Sequence, residues 1–174
     1  MFAMQTNLAG VYRKLGREEG AARLLRFVYS GRLALSGEEH EATLIAAINY
    51  ANCLISLEHF KEAKALMRKA MPVAQRVLGE SQVTTLKMRL VYAKALYYDP
   101  GATLDNLREA VTTLEETEQT ARRVLGGAHP VTGRIEDDLQ KARAARDARE
   151  DLETFSGDVN AIREAMAAMT PGDA

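Results

Sequence analysis

Cysteine is almost absent: Cys53 is the only one in 174 residues. No disulfide can form within the chain, and no Cys-rich zinc finger can be built; a reducing, cytoplasmic setting fits this. No apolar run approaches the roughly 20 residues that a membrane-spanning helix needs. The opening MFAMQTNLAGVYRKLG has no basic stretch ahead of an apolar core, so it does not read as a secretion signal. The formal net charge is only −1, which leaves no global electrostatic case for nucleic acid.

Catalytic motifs are missing as well. Gly126-Gly127 follows no strand and precedes no Gly-Lys-Ser/Thr element, so it is not a phosphate loop. Glu18-Glu19 and Glu115-Glu116 are adjacent residues on helical stretches; they point in different directions and make no carboxylate dyad. His59 stands alone at a turn, with no Cys or carboxylate at ligand spacing. Cys53 falls on an apolar face by its step from Tyr50, facing the core of its own hairpin, where a thiol lacks the base and access a nucleophile needs. The expectation is a chain that is not an enzyme and holds no metal or cofactor.

What is present is periodicity. Between Glu41 and Gly79, Ala47, Tyr50, Ala51 and Leu54 form one helical stripe, and Phe60, Ala63, Met67, Ala70, Ala74 and Val77 form another. A short break near Leu57–His59 forces the two helices to pack antiparallel as a hairpin. The pattern recurs on both sides. A shift of 42 residues takes Asn7-Leu8-Ala9 to Asn49-Tyr50-Ala51, Gly37-Glu38 to Gly79-Glu80, and Tyr50-Ala51 to Tyr92-Ala93. The register then jumps by five, so that Ala63 corresponds to Ala110 and Leu78-Gly79 to Leu125-Gly126; the inserted residues lie in Tyr98–Thr103, around the turn signal Asp99-Pro100-Gly101. This is a repeat protein, with hairpins at about 2–37, 41–79 and 83–126.

The joints repeat too: a glycine ends each second helix without a Cβ penalty, and a polar or proline residue opens the next helix. His40 and His129 occupy equivalent joint positions where Gln82 takes the third place, which marks packing or hydrogen bonding and not catalysis. Pro72, inside a second helix, predicts a kink, and Ser30-Gly31 marks the equivalent soft place one repeat earlier. Beyond Pro130, Val131, Ile135, Leu139, Ala142, Ala145 and Leu152 predict a capping helix over about 130–154. Ser156-Gly157-Asp158 predicts its end. A short final helix is expected from Asp158, with Val159, Ile162, Met166 and Met169 on one side, then a frayed tail over 170–174, residues 155–174 forming a separate segment.

Asn-x-Ala in the first helix, Phe-x-Glu-Ala in the second, and Leu-Gly-x-x-His-Pro-x-Thr at the joint resemble tetratricopeptide repeats of the 42-residue subclass found in kinesin light chains. The resemblance covers about residues 2–146. Glu41 and Val83 depart from it by replacing the joint proline, Gln82 by replacing its histidine, and the third hairpin by its insertion. It implies an all-α, right-handed superhelical array of about three hairpins plus the capping helix, and a protein-protein interaction module that takes a peptide in its concave groove. Kinesin light chains take acidic peptides with an aromatic anchor, which implies a similar style of ligand here.

The first helices line the concave side of such an array. The predicted groove stripe is Ile45, Ile48, Asn49, Asn52 and Ile55 in the middle repeat, with Asn7, Gly10 and Arg13 on one side and Lys87, Leu90, Val91, Lys94 and Tyr97 on the other. It has an apolar centre, amides that offer donor and acceptor at once, and positive charge at both edges. Two readings of Asn7 and Asn49 stand: contact with a bound backbone or carboxylate, as the resemblance implies, or orientation of the neighbouring helix. The expected partner is a protein or peptide with acidic residues around an apolar anchor. Val91 stands where clamps for acidic C-termini carry a basic residue, which disfavours that mode.

Charge is uneven along the chain. Arg13, Lys14, Arg17, Arg23, Arg26 and Arg32 lie in residues 1–35 against two acids, while residues 148–174 are mainly acidic. The basic residues suit either the polar outer face of a terminal repeat or a piece of a longer array. A self-associating, head-to-tail structural segment and a recruitment segment of a larger signalling chain are the alternative functions.

Overall fold

The structure is a computed structural model that describes residues 1–168, with side chains through Arg163. Seven helices follow one another among the described residues: α1 (Phe2–Lys14), α2 (Glu18–Ser36), α3 (Glu41–Ser56), α4 (Phe60–Leu78), α5 (Val83–Tyr97), α6 (Leu104–Leu125) and α7 (Pro130–Ala168). Each packs on the next in sequence, and in addition α3 packs on α5 and α5 on α7. The result is one layer of first helices (α3, α5, α7) backed by a layer of second helices.

Small residues at repeat-equivalent positions let the helices approach closely. Ala21, Ala63 and Ala110 are fully covered, as are Ala51 and Ala93 on the facing helices. Met67, Leu86, Leu96 and Leu114 fill the space between them and make one continuous core from α3 to α7. Ala9, Ala21, Leu25 and Cys53 form a second, smaller core under the first hairpin. Cys53 thus faces α1 and α2, not the interior of its own hairpin as its spacing suggested. No Cα of α1 lies within 8 Å of one in α3, although the later first helices do touch each other. Phe2 accounts for part of this. Its ring sits over Gly31, where an added Cβ would come within 2.6 Å of the Phe2 ring, so α1 is drawn onto α2. Gly31 is a seat for an aromatic ring as well as a weak helix former.

The joints explain themselves. Gly37, Gly79 and Gly126 end α2, α4 and α6 with φ of 79°, 91° and 85° and ψ of 174°, 159° and 159°, a region open essentially to glycine alone and costing another residue about 1–3 kcal/mol. His40 and His129 then cap the following helices: the Nδ1 of each accepts the backbone N–H two residues on, at 3.1 Å. Thr85 and Thr132, both fully buried, donate their hydroxyls back to the carbonyls of Gly79 and Gly126 at 2.8 and 2.9 Å. The equivalent Thr43 is also buried, but its hydroxyl has no partner among the described residues.

α4 runs from Phe60 to Leu78 with the exposed Pro72 inside it. One expectation about helix continuity fails. Helix α7 does not end at Ser156-Gly157-Asp158; it continues to Ala168, so no separate short helix begins at Asp158. A single interior glycine costs a helix only about 1 kcal/mol, and no proline stands between Val131 and Ala168 to stop it. The expectations for the Met166 side chain, for Met169 and for the tail lie outside the described residues. The first part of α7 does cap the array, burying Val131, Ile135, Leu139 and Ala142, whereas Asp151–Arg163 are all exposed.

The basic first hairpin does not present a uniformly polar outer face. Met4, Leu8, Val11 and Leu15 are all exposed on α1. Phe2, Ala9 and Tyr12 use the opposite face for α2, and the charged residues flank the apolar stripe without replacing it.

Candidate functional site: a two-basin groove across the first helices

The helical step that buries Ala47, Ala51 and Leu54 against α4 turns Ile48, Asn49 and Asn52 toward the concave side. The same geometry on α5 turns out Lys87, Leu90, Val91 and Lys94, and on α7 it turns out Val131, Arg134, Asp137, Asp138 and Lys141. Together these residues line a cavity of about 400 Å³. A second cavity of about 400 Å³ lies beside it, lined by Arg13, Ile55, Ser56, Phe60, Tyr98 and Pro100 among others. Asn52 and Lys94 line both, so the two are basins of one groove with those side chains as the sill.

The first basin is cationic. Lys87, Lys94, Arg134 and Lys141 face Asp137 and Asp138. Lys141 Nζ stands 3.7 Å from Asp138 Oδ1, and Tyr97 donates its hydroxyl hydrogen to that same oxygen at 2.5 Å. Asp138 is therefore engaged from two sides. Lys87, Lys94 and Arg134 have no carboxylate within 4.0 Å among the described residues, so their charge faces the cavity uncompensated at contact range. The Lys94 ammonium also lies 5.7 Å from the centre of the Tyr98 ring, which holds it at the sill. The amide of Asn49 makes no hydrogen bond among the described residues, and it is half-buried. Asn52 is partly committed, with Nδ2 donating to the Ile48 carbonyl at 3.1 Å.

The second basin differs from the first in carrying two aromatic rings, Phe60 and Tyr98. Phe60 and Ile55 form its floor, Tyr98 and Pro100 of the inserted loop form one wall, and Arg13 reaches in from α1. Arg13 donates to Ser56 Oγ at 3.3 Å and sits 3.5 Å from Glu18. The loop is itself ordered: the Asp99 side chain accepts from Gly101 N at 2.9 Å, and Thr103 caps α6 through Asn106 N at 3.2 Å.

The sequence-derived stripe is therefore brought together only in part. Ile48, Asn49, Asn52, Lys87 and Lys94 line the first basin, and Ile55 and Arg13 the second. Ile45 is displaced: it is exposed and lines neither basin, because its place one turn nearer the helix start leaves it beside the joint. Asn7 is exposed and outside both, since α1 stands away from α3. Tyr97 belongs to the packing between α5 and α7. It is buried, and burial first, then the hydrogen bond to Asp138, push its phenol far above the ordinary value. The apolar centre is also thinner than the stripe implied, because Ile48, Leu90, Val91 and Val131 are buried and expose only their edges.

The α7 wall was not predicted, though its signal was present. The shift of 47 residues that takes Ala63 to Ala110 also takes Lys87 to Arg134 and Lys94 to Lys141.

Cys53 is outside the groove. Its sulfur contacts the Glu18 carbonyl oxygen at 3.6 Å, and burial, then the Glu18 carboxylate, push the thiol up to about 11. Among the described residues no group of three or more His, Cys, Asp or Glu could hold a metal ion. No described helix is long and apolar enough to cross a membrane.

Comparison with known proteins supports the same architecture. The tetratricopeptide repeat family matches residues 1–98. No curated protein matches the chain. Among solved structures, the kinesin light chain TPR-like repeats of Podosopora anserina align over 96% of this chain and 76% of that one, at 22% identity and a TM-score of 0.68. BtubC (BKLC) of P. vanneervenii aligns over 99% of this chain and 67% of that one, at 18% identity and a TM-score of 0.70. At such identities the likeness is one of fold: an all-α solenoid of helical hairpins.

Proposed function

We propose that this chain, which belongs to the tetratricopeptide repeat family, binds an acidic peptide segment of a partner protein along its two-basin groove. Repeats of this family are in general protein-protein interaction modules without catalytic activity. The observation that carries the reading is the set of uncompensated cations in the first basin, Lys87, Lys94 and Arg134, beside the hydrogen-bond-free amide of Asn49. Carboxylates fit the cations. Asn49 can pair with a bound backbone, because an amide donates and accepts at once.

The second basin adds the other half of the specificity. An apolar or aromatic side chain entering over Ile55, Phe60 and Pro100 would bury surface worth about 25 cal/mol per Å². Anchor and acids are thus sorted into separate basins, with Lys94 between them. Nothing in this mode requires a cofactor or a metal. The kinesin light chain TPR-like repeats that share the fold are consistent with a scaffold role, and a cytoplasmic setting fits the single free thiol.

A display screen of random peptides against the chain tests this. Enriched sequences should carry two or more acids flanking an apolar residue. Lys94→Glu should weaken their binding at least tenfold, and Asn49→Ala by a smaller factor. Peptides that bind both variants as well as the parent chain would remove the groove from consideration.

A further inference from the structure

Two helix faces outside the groove are uncovered, and they match. On α1 and the residues that flank it, Met1, Met4, Leu8, Val11 and Leu15 are exposed, Met4 to 76%. On the far half of α7, Leu152, Phe155, Val159 and Ile162 are exposed, Phe155 to 67%. Both series advance in alternating steps of three and four, the spacing of a seam that packs against another helix. The α1 stripe runs about 21 Å and the α7 stripe about 15 Å at 1.5 Å per residue.

The repeat tells what the α1 face is built to hold. The 42-residue shift takes Met4, Leu8, Val11 and Leu15 to Ala46, Tyr50, Cys53 and Leu57. In α3 those positions pack on α2: Cys53 lies against Ala21 and Leu25, and the Tyr50 ring stacks with Tyr29 at 6.4 Å. In α5 the same face meets α4, where Arg68 donates to the Tyr92 hydroxyl at 3.2 Å. The α1 stripe is therefore the seat for an antiparallel second helix of a preceding hairpin. We propose that the far half of α7 from a second copy of this chain occupies that seat, joining copies head to tail.

Charge selects this occupant and this direction. Lys14 ends α1 and Arg17 follows in the turn before α2, and neither has an acid within 4.0 Å among the described residues. Asp151 and Glu153 stand at the start of the exposed half of α7 and are likewise without a basic partner. Antiparallel docking brings these two pairs together. The rival arrangement, two α7 helices side by side, could pair Asp158 of each with Arg163 of the other, but it leaves the α1 seam uncovered. The head-to-tail contact uses both seams, and it is heterologous, so it need not close on itself. The contact is separate from the cations of the first basin, so its failure would leave the peptide-binding reading untouched.

The test is sedimentation of the 174-residue chain alongside Val11→Asp and Phe155→Asp, both at exposed positions. The parent chain should gain mass with concentration, past twice its 19.1 kDa. Each variant alone should stay monomeric, because each keeps only one usable seam. Their equimolar mixture should form a dimer and stop there, since the intact α7 of one fits the intact α1 of the other. Dimers of Val11→Asp alone would establish α7–α7 pairing and overturn the proposal, as would a parent chain or a mixture that stays monomeric. Leu8→Asp and Leu152→Asp provide a second pair if circular dichroism shows that either first variant has lost helix.

Discussion

Tyr97 and Asp138 meet across 2.5 Å, with both side chains buried, and this contact ties α5 to α7 directly beneath the cationic basin. Tyr97→Phe keeps the ring and removes the donor, leaving a buried carboxylate with only Lys141 beside it. The expected loss is about 1–3 kcal/mol of stability, read as a lower denaturation midpoint in urea.

The same contact sets a dependence on pH. The Tyr97 phenol is held far above its ordinary value, and Tyr29, Tyr50 and Tyr92 are raised as well, in each case first by burial. A tyrosine whose folded value is raised keeps its proton when the unfolded chain has lost it. Its contribution is fully present below about pH 10 and is lost as pH climbs beyond that. Thermal midpoints should therefore hold steady from neutrality to about pH 9 and fall above about pH 10. Tyr97→Phe should fall less steeply there.

Thr43 and Thr85 occupy equivalent joints with opposite prospects. The Thr85 hydroxyl donates to Gly79, and the Thr43 hydroxyl is buried without a partner. Valine has nearly the same shape. Thr85→Val should cost about 1 kcal/mol, and Thr43→Val should be neutral or stabilising by up to about 1 kcal/mol. Paired chemical denaturation curves check the difference in sign.

Glu58 has φ of 61°, and the repeat-equivalent residue is Gly16, with φ of 70°. The first hairpin uses the residue suited to this turn, and the second does not. Glu58→Gly should raise stability by about 1 kcal/mol, seen as a higher thermal midpoint.

Cys53 should resist alkylation. It is buried beside Glu18, with its thiol pushed up to about 11. At neutral pH iodoacetamide should label it orders of magnitude more slowly in the folded chain than in urea. Rapid labelling of the folded chain would show that the first hairpin opens readily.

The repeat was legible because its signals are local and redundant: glycine at 37, 79 and 126, and alanine at 21, 63 and 110, return at fixed offsets. The groove was legible for α3 and α5, where the stripe follows from helix geometry alone. Arg134, Asp137, Asp138 and Lys141 stand apart from the apolar stripe of α7, which by itself marks only the packed face of a capping helix; their link to the groove lies in the 47-residue shift. Ile45 and Tyr97 were misplaced for a different reason. A shift in register preserves a residue's angle around its helix, but not its depth, which depends on what the neighbouring helix places opposite it. The continuation of α7 past Gly157 is not legible because a Ser-Gly-Asp triplet signals a helix end, although a long helix can absorb its cost.

The separation between α1 and α3 has a consequence for how the chain comes apart. The first hairpin is held mainly through the α2–α3 boundary, whereas the later repeats also meet through pairs of first helices, α3 with α5 and α5 with α7. In a nearest-neighbour array, the weakest coupling sets where cooperativity breaks. The first hairpin should therefore melt as a unit ahead of the rest. Amide hydrogens of α1 and α2 should exchange through this partial opening, while those of α5 and α6 wait for global unfolding.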